Sequence, residues 1–245
     1  MRAMIFAAGL GTRLRPITDN IPKALVPIKG HPLLEIAILR LKAAGCRDII
    51  VNIHHFGDQI IDFLARNDHF GINIQISDER DVLLDTGGGL KHAAWFLKDE
   101  PFVLLNADVV TNLDIQKLYQ THVQSGALST LAVRQRESSR YFLFNAEGQL
   151  CGWGNEKTGE KRLSRAENNL SPWCFSGIHA ISPRIFDFFP EEERVFSIID
   201  TYLNTSATER VLAYSHNDDI WLDVGKIPQL EKAEEVLEAV LPAGQ

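Results

Sequence analysis

Residues 3–23 read AMIFAAGLGTRLRPITDNIPK, and this stretch decides how the rest of the chain is interpreted. The apolar run Met4–Ala8 predicts a buried first strand, and the glycine-rich segment Gly9–Arg13 follows it directly. Glycine can adopt positive φ angles, so we expect Gly9 and Gly11 to turn backbone N–H groups toward phosphate oxygens. Arg13 and Lys23 add cations at the same end of the strand. The stretch therefore predicts a loop that binds a triphosphate.

Two familiar glycine loops fit this stretch poorly. A dinucleotide fingerprint needs a third glycine where this chain has Leu14, and a P-loop needs Gly-Lys followed by Ser or Thr. An ordinary glycine-rich turn remains the structural alternative. The sequence GLGTRLRP at 9–16, followed by Pro22-Lys23, resembles the signature of the sugar-1-phosphate nucleotidyltransferases, G-x-G-T/S-R-L-x-P and then P-K. That resemblance implies an α/β protein with a Rossmann-like three-layer α/β/α nucleotidyltransferase fold and a mixed central sheet.

Length and composition favour one domain over residues 1–245, and the resemblance implies that it is a nucleotidyltransferase domain. The chain has 245 residues, of which 45% are hydrophobic and 23% charged, enough for one large core. The resemblance divides it into a nucleotide-binding half, 1–112, and a sugar-phosphate-binding half, 113–245. The net charge of −7 argues against nucleic acid or an anionic membrane as a partner. We expect a cytoplasmic protein, since no apolar run reaches membrane-spanning length, and no left-handed β-helix domain, since hexapeptide repeats are absent.

Strand and helix patterns alternate through the first half. Helical spacing predicts helices over 33–44 and 56–67, and apolar runs predict strands over 48–53, 72–77 and 101–105. Such alternation implies a parallel sheet that binds ligands at the carboxyl ends of its strands. In the second half we expect helices over 115–125, 196–203 and 228–240, and extended segments over 127–133, 140–144, 173–181 and 210–214.

A second glycine cluster, Gly87–Gly89, follows Asp85 and Thr86. Three glycines ahead of a helix expected over 91–96 cost conformational entropy on folding, so they are expected where the backbone must approach a flat ligand closely. The alternative is a flexible hinge. The resemblance implies that this loop contacts the base and the ribose. The nucleotide-binding candidates are therefore Ala8, Gly9, Gly11, Thr12, Arg13, Asp85, Thr86, Gly87 and Gly88.

Two aspartates are the candidate ligands of Mg²⁺, the cofactor we expect. Asp108 follows the apolar strand at 101–105, where a carboxylate is well placed to hold Mg²⁺ against phosphate oxygens; its structural alternative is a helix cap. Trp221-Leu222-Asp223-Val224-Gly225 resembles the family motif W-x-D-V/I-G, which implies that Asp223 is the second ligand. We take Arg13, Lys23 and Asp108 as the catalytic residues.

The acceptor site is expected to include Asn106, Lys157 and Gly177. Glu156-Lys157 partly matches the family motif E-K-P, and Gly177 lies in an aromatic-x-G-I segment typical of its sugar pocket. The polar segment 152–165 is expected to be a solvated loop. Its cations Lys157, Lys161, Arg162 and Arg165 outnumber its carboxylates Glu156 and Glu160. This local excess invites an acceptor with a second negative charge.

The substrates are thus expected to be UTP or GTP and a sugar 1-phosphate, with N-acetylmuramate 1-phosphate favoured over mannose 1-phosphate. Two other functions stay open. A phosphocholine cytidylyltransferase would need an aromatic cage, which Tyr141, Trp153 and Trp173 could supply. A module that senses nucleotide-sugars without turnover would be expected to have lost Lys23 or an aspartate. The sequence leaves the oligomeric state open, including a homo-oligomer.

Overall fold

The computed structural model describes residues 1–242. Its strands are β1 (Arg2–Phe6), β2 (Pro27–Ile28), β3 (His31–Pro32), β4 (Asp48–Ile53), β5 (Asn73–Asp78), β6 (Phe102–Asn106), β7 (Val109–Thr111), β8 (Ser129–Arg134), β9 (Arg140–Phe144), β10 (Leu150–Asn155), β11 (Glu160–Leu163), β12 (Ser171–Ile181), β13 (Val211–Ser215) and β14 (Trp221–Asp223). Its α-helices are α1 (Leu33–Ala43), α2 (Gly57–Arg66), α3 (Asp85–His92), α4 (Ala94–Leu97), α5 (Ile115–Ser125), α6 (Ile198–Thr205) and α7 (Ile227–Val240). No helix within residues 1–242 has the length and apolar character needed to cross a bilayer.

A ten-stranded mixed sheet forms the centre of the fold. Its main path runs β11-β10-β9-β12-β6-β1-β4-β5, and β8 pairs with β12 and with β13. β1 is parallel to both β4 and β6, as the alternating pattern predicted. The long strand β12 is antiparallel to β6, β8 and β9, and so joins the parallel part to the rest. The predicted mixed central sheet is confirmed.

Helices cover both faces of this sheet. Side chains alternate along a strand, so Ala3 and Ile5 of β1 point to one face and Met4 to the other. Ala3 and Ile5 share a buried core with apolar residues of α1, α2 and α5. Met4 shares a second core with residues of α3, α4 and α6. The two cores account for the three layers, because each helical layer must bury its apolar stripe against one sheet face.

A smaller third core packs helix α7 against strand β7. Val110 of β7 and Val224 pack with Ala233 and Leu237 of α7. β14 pairs antiparallel with β7, so that Asp223 lies opposite Val109, and the Val224 N–H donates to the Asp108 carbonyl at 2.9 Å. This packing carries the segment 221–225 to the carboxyl end of β6.

The glycine cluster lies inside a helix, so the helix predicted over 91–96 begins earlier than expected and is interrupted at Ala93. Helix α3 already begins at Asp85 and includes Gly87–Gly89. A Cβ on Gly88 would lie 2.1 Å from the Arg194 carbonyl oxygen, and one on Gly87 would lie 2.4 Å from the Phe196 ring. Close packing of the segment 194–196 therefore explains Gly87 and Gly88, whereas a Cβ on Gly89 would lie 2.7 Å from Glu79 Oε1, and both contacts come from residues outside the helix.

The segment 152–165 was expected to be a solvated loop, and this is also wrong. Residues Gly152–Asn155 belong to β10 and pair antiparallel with Glu160–Leu163 of β11. All four residues of β11 are exposed, so its sequence lacks the apolar alternation that marks a strand. β11 is a strand because its backbone pairs with β10 at the edge of the sheet, although none of its residues is buried.

Candidate active site

A cavity of about 510 Å³ lies over the carboxyl ends of β1, β4 and β6, and we call it the inner cavity. This is where an open sheet with parallel strands is expected to bind ligands. The predicted residues that line it are Ala8, Gly9, Lys23, Asp85, Thr86, Asn106 and Asp108. Candidate binding residues from three separate motifs thus line the same cavity.

The two glycines of the first loop have different roles. Gly11 has a φ of 66°, and a Cβ there would lie 3.0 Å from both the Lys23 Cβ and a methyl group of Thr18. The Thr18 hydroxyl donates to the Gly11 carbonyl at 2.8 Å and fixes this turn. Gly9 lies outside the positive-φ region, contrary to expectation, but no atom lies within 4 Å of an added Cβ. Gly11 therefore lets Lys23 pack on the loop, while Gly9 leaves open space above it.

Lys23 and Asp108 form an ion pair on the wall of the inner cavity. The Lys23 ammonium donates to Asp108 Oδ2, and the two side chains are only 13% and 21% exposed. Asp108 does not cap the helix that follows. Asp114 caps α5 instead, because its carboxylate accepts the Lys117 N–H at 2.9 Å. Asp108 is thus free of a capping role and faces the cavity.

Asp223 approaches Asp108 from the β14 side. Desolvation by surrounding protein atoms raises the pKa of the Asp223 carboxyl, and the nearby charge of Asp108 raises it further; Lys23 and Arg13 act in the opposite direction. A Cβ on Gly225 would lie 2.8 Å from Arg13 Nη2 and 2.9 Å from Asp223 Oδ1. The absence of a side chain at Gly225 therefore lets Arg13 lie beside Asp223. Two carboxylates and two cations form a single cluster.

This cluster fits Mg²⁺ when phosphate oxygens complete the coordination shell. Within residues 1–242, no group of three or more His, Cys, Asp or Glu side chains is gathered around one point. Mg²⁺ is commonly bound through one or two carboxylates, together with waters and substrate phosphates. Asp108 and Asp223 supply that number of carboxylates, and a dication between them would relieve the repulsion that raises the pKa of Asp223.

A second cavity, of about 860 Å³, opens on the other side of the carboxylates, and we call it the outer cavity. Arg13 and Asp223 line one end of it. Its remaining wall combines cations with aromatic side chains, namely Arg136, Arg140, Lys157 and Arg162 with Tyr141, Trp153 and Phe175. Asp108 lines the inner cavity and Asp223 the outer one. Each of the two cavities is therefore lined by one of these two carboxylates.

Of the three predicted acceptor residues, one lines each cavity and Gly177 lies behind Asn106. Lys157 lines the outer cavity, from the turn between β10 and β11. Asn106 lines the inner cavity. Gly177 has a φ of 74°, and a Cβ there would lie 2.8 Å from the Asn106 amide nitrogen. Gly177 thus makes room for Asn106.

The cationic segment is divided between two faces. Lys157 and Arg162 line the outer cavity. Lys161 is adjacent to Arg162 in β11, and neighbouring residues of a strand point to opposite faces. Arg165 donates to the Ser206 carbonyl at 2.5 Å. The expectation that all four cations act together is therefore wrong.

Several lining residues were not predicted from the sequence. Asn52 accepts the Ala7 N–H at 2.7 Å and donates to the Glu79 carboxylate at 2.8 Å. Glu79 is only 3% exposed, and this burial raises the pKa of its carboxyl. Both residues line the inner cavity, together with Leu83 and Val195. A polar Asn52 within an apolar strand was a usable signal, because it marks the carboxyl end of β4.

The chain matches the model of the nucleotidyl transferase family over residues 2–239. It belongs to this family. The nucleotidyltransferase is 31% identical over 234 residues to the N-acetylmuramate alpha-1-phosphate uridylyltransferase of Neisseria meningitidis, covering 96% of this chain and 97% of the relative. It is 29% identical to the mannose-1-phosphate guanyltransferase of Yarrowia lipolytica, covering 92% of this chain and 61% of the relative.

A solved structure shares the fold of this nucleotidyltransferase. HddC from Yersinia pseudotuberculosis, complexed with GMP-PN, matches with a TM-score of 0.78 at 22% identity, covering 96% of this chain and 99% of HddC. The family predicted from the GLGTRLRP and WLDVG motifs is confirmed, and so is the enzyme class.

Proposed function

We propose that this nucleotidyltransferase transfers a uridylyl group from UTP to N-acetylmuramate 1-phosphate and releases pyrophosphate. The observation that carries the proposal is that two neighbouring carboxylates, Asp108 and Asp223, each line one of the two cavities. The inner cavity would hold the nucleoside triphosphate and the outer cavity the sugar phosphate. The α-phosphorus and the attacking phosphate oxygen would then be brought together beside the two carboxylates.

The chain's own residues would act by positioning and by neutralising charge. Arg13, at the end of the outer cavity beside Asp223, would bind the β- and γ-phosphates that leave as pyrophosphate, where the triphosphate extends from the inner cavity past the two carboxylates. Lys23 would contact the α-phosphate and the attacking phosphate, and it would exchange the carboxylate of Asp108 for phosphate oxygens. Phosphoryl transfer of this kind depends mainly on such positioning and electrostatic stabilisation. No general base is needed, because a phosphate monoester is already anionic at neutral pH.

Asp108 and Asp223 would hold Mg²⁺, which supplies charge neutralisation on phosphate oxygens when it is bound. The support for this is the close approach of the two carboxylates, each on the wall of a different cavity. Their placement would let one ion be shared by the nucleotide and the acceptor.

The outer cavity favours an acceptor with more than one negative group. Arg136, Arg140, Lys157 and Arg162 line it, and among the ion pairs within residues 1–242 only Arg162 of these four is bound to a carboxylate, 2.6 Å from Asp200. N-acetylmuramate 1-phosphate carries a lactyl carboxylate in addition to its phosphate, whereas mannose 1-phosphate does not.

Phosphocholine fits the outer cavity less well. Its quaternary ammonium group would be repelled by the cations of this wall. Tyr141 and Trp153 line the cavity, but Trp173 pairs with Phe142 in the sheet and is not part of the wall described above. The three aromatic residues proposed for a cage are thus not assembled around one space.

The test is a panel that combines four nucleoside triphosphates with N-acetylmuramate 1-phosphate, mannose 1-phosphate and phosphocholine, scored by pyrophosphate release. We expect the highest kcat/KM for UTP with N-acetylmuramate 1-phosphate. The Asp108→Asn variant, prepared in parallel, controls for contaminating enzymes. A preference for GTP with mannose 1-phosphate would replace the proposed substrates, and no pyrophosphate from any pair would overturn the proposed reaction.

A further inference from the structure

Arg136 is an exposed residue held in place at the rim of the outer cavity. Its guanidinium carbon lies 4.7 Å from the centroid of the Trp221 ring, within the range of a cation–π contact. Its Nη2 donates to the Phe175 carbonyl at 3.2 Å, and its Nη1 reaches the Glu137 carbonyl only at 3.5 Å. A guanidinium has five N–H donors, so several remain for a ligand. The side chain is therefore oriented in advance and still able to bind.

The ring beneath Arg136 is fixed to the strand that carries Asp223. Trp221 Nε1 donates to the Ser176 carbonyl at 2.9 Å, and the Ser176 hydroxyl is bonded to His216 Nε2 at 2.7 Å. Trp221 and Asp223 are two residues apart in β14, so they lie on the same face of it, about 7 Å apart along the strand. Arg136, which lies over Trp221, thus lines the same outer cavity as Asp223.

We propose that Arg136 is the residue that selects the acceptor by a second negative charge. Its remaining N–H groups would pair with the carboxylate that the sugar carries beyond its 1-phosphate, while the phosphate lies at the carboxylate pair. This proposal rests on the proposed function. A guanidinium held over a ring can direct two parallel N–H groups at the two oxygens of a carboxylate. The flexible ammonium of a lysine cannot make this bidentate contact. The aromatic face of Trp153 on the same wall would cover the ring of the sugar.

Arg134 provides a matched control. Its guanidinium lies over the same ring, 5.8 Å from the centroid. Its Nη1 donates to the Asp219 carbonyl at 3.1 Å and its Nη2 to the Asn217 carbonyl at 3.3 Å. Arg136 lines the outer cavity, whereas Arg134 lies over the same ring without being part of that lining.

The experiment compares two acceptors that differ only in the lactyl group, N-acetylmuramate 1-phosphate and N-acetylglucosamine 1-phosphate, each with UTP. We expect Arg136→Gln to lower kcat/KM for the lactyl sugar by about tenfold to a hundredfold, as when a charge-assisted hydrogen bond is lost. The rate with the sugar that lacks the carboxylate and the KM for UTP should stay unchanged. Arg136→Lys should recover part of the loss, because it keeps the charge without the fork, and Arg134→Gln should keep the wild-type preference.

Three outcomes would overturn the assignment. The first is a wild type with no preference for the lactyl sugar. The second is an Arg136→Gln variant that retains this preference, and the third is a variant whose kcat/KM falls by the same factor with both sugars. In all three the proposed nucleotidyl transfer still stands, because pyrophosphate is released. A wild type that releases pyrophosphate with neither sugar would instead overturn the proposed acceptor, and the assignment of Arg136 with it.

Discussion

Lys23 and Asp108 form an ion pair on the wall of the inner cavity, and Asp223 lies close enough to Asp108 to interact electrostatically with it. Each of these side chains therefore has an electrostatic partner that a substitution would leave uncompensated. Lys23 and Asp108 are also mostly buried, which strengthens such interactions. At the scale of single residues, a substitution in this cluster should therefore change the charge available to phosphate oxygens and also leave a mostly buried partner uncompensated.

The first prediction concerns the metal. Asp108→Asn should lower turnover by at least about a hundredfold at saturating Mg²⁺, the scale of losing one well-placed electrostatic contact. It should also weaken the dependence of UTP binding on Mg²⁺, measured by calorimetry. Asp114→Asn is the control, because Asn caps a helix as well as Asp does, and it should retain full activity. Near-normal turnover of the Asp108→Asn variant would contradict the assignment.

The second prediction separates Lys23 from Arg13. Lys23 lines the inner cavity and contacts Asp108, so Lys23→Ala should mainly reduce kcat. Arg13 lies beside Asp223 and is proposed to hold the leaving pyrophosphate, so Arg13→Ala should reduce kcat and raise the KM for UTP. Steady-state kinetics of both variants with UTP varied would measure this. The roles are wrong if Lys23→Ala keeps its kcat and changes only KM.

At the scale of elements, α3 is held against the segment 194–197. The N–H groups of Gly87 and Gly88 donate to the Phe196 carbonyl at 2.8 and 3.2 Å, and the Ile198 N–H donates to Thr86 Oγ1 at 3.0 Å. Val195 lines the inner cavity and Ser197 lines the outer one. A single short segment therefore forms part of both cavities, and its position depends on the glycines of α3.

The third prediction tests this contact. Gly88→Ala places a Cβ 2.1 Å from the Arg194 carbonyl oxygen, so the segment 194–197 must move. We expect a loss of unfolding free energy of about 1–3 kcal/mol and a rise in KM for both substrates, since the moved segment lines both cavities. Chemical denaturation and steady-state kinetics would measure these effects.

Gly57→Ala is the control for the third prediction. Its Cβ would meet only side-chain atoms of Ile53 and Arg80, the nearest at 2.9 Å. Side-chain ends can move more readily than backbone, so we expect unchanged KM values. If Gly88→Ala left both KM values at the wild-type level, the segment would not couple the two cavities.

At the scale of the whole molecule, burial keeps three histidines neutral. Burial lowers the pKa of His122 to about 4, of His179 to about 3 and of His216 to about 4, with Arg184 contributing at His122 and Arg134 at His216. His122 bonds to the Thr130 hydroxyl at 3.0 Å. In the unfolded chain these groups would bind protons near pH 6.5, as free histidine does.

The fourth prediction follows from this difference. Between about pH 6.5 and pH 4 the unfolded state binds more protons than the folded state, so stability should fall as the pH falls through this range. Each histidine should contribute about 1.4 kcal/mol per pH unit there. Chemical denaturation at several pH values should show a shallower slope for His122→Gln and the wild-type slope for the exposed His55→Gln. Equal slopes for all three proteins would contradict this explanation.

The sequence by itself determined the features that depend on neighbouring residues. The apolar run before GLGTR specifies β1 and the loop after it, and the apolar run 101–105 places Asp108 at the carboxyl end of β6. Helix α5 has the bounds that its periodicity predicted, Ile115–Ser125. These features are readable because helix and strand periodicity act over a few residues.

Only the tertiary structure decided which distant residues share a site. β14 brings Asp223 to Asp108 because the third core packs α7 against β7, and no local pattern specifies that pairing. Arg136, in the connection between β8 and β9, lies at the outer cavity against Trp221 of β14. Gly87 and Gly88 of α3 admit the segment 194–196, and Gly89 admits the Glu79 side chain, contacts that the sequence pattern did not indicate. Such contacts depend on the shape and close packing of segments that are far apart in the chain, and residue type along a short window does not record them.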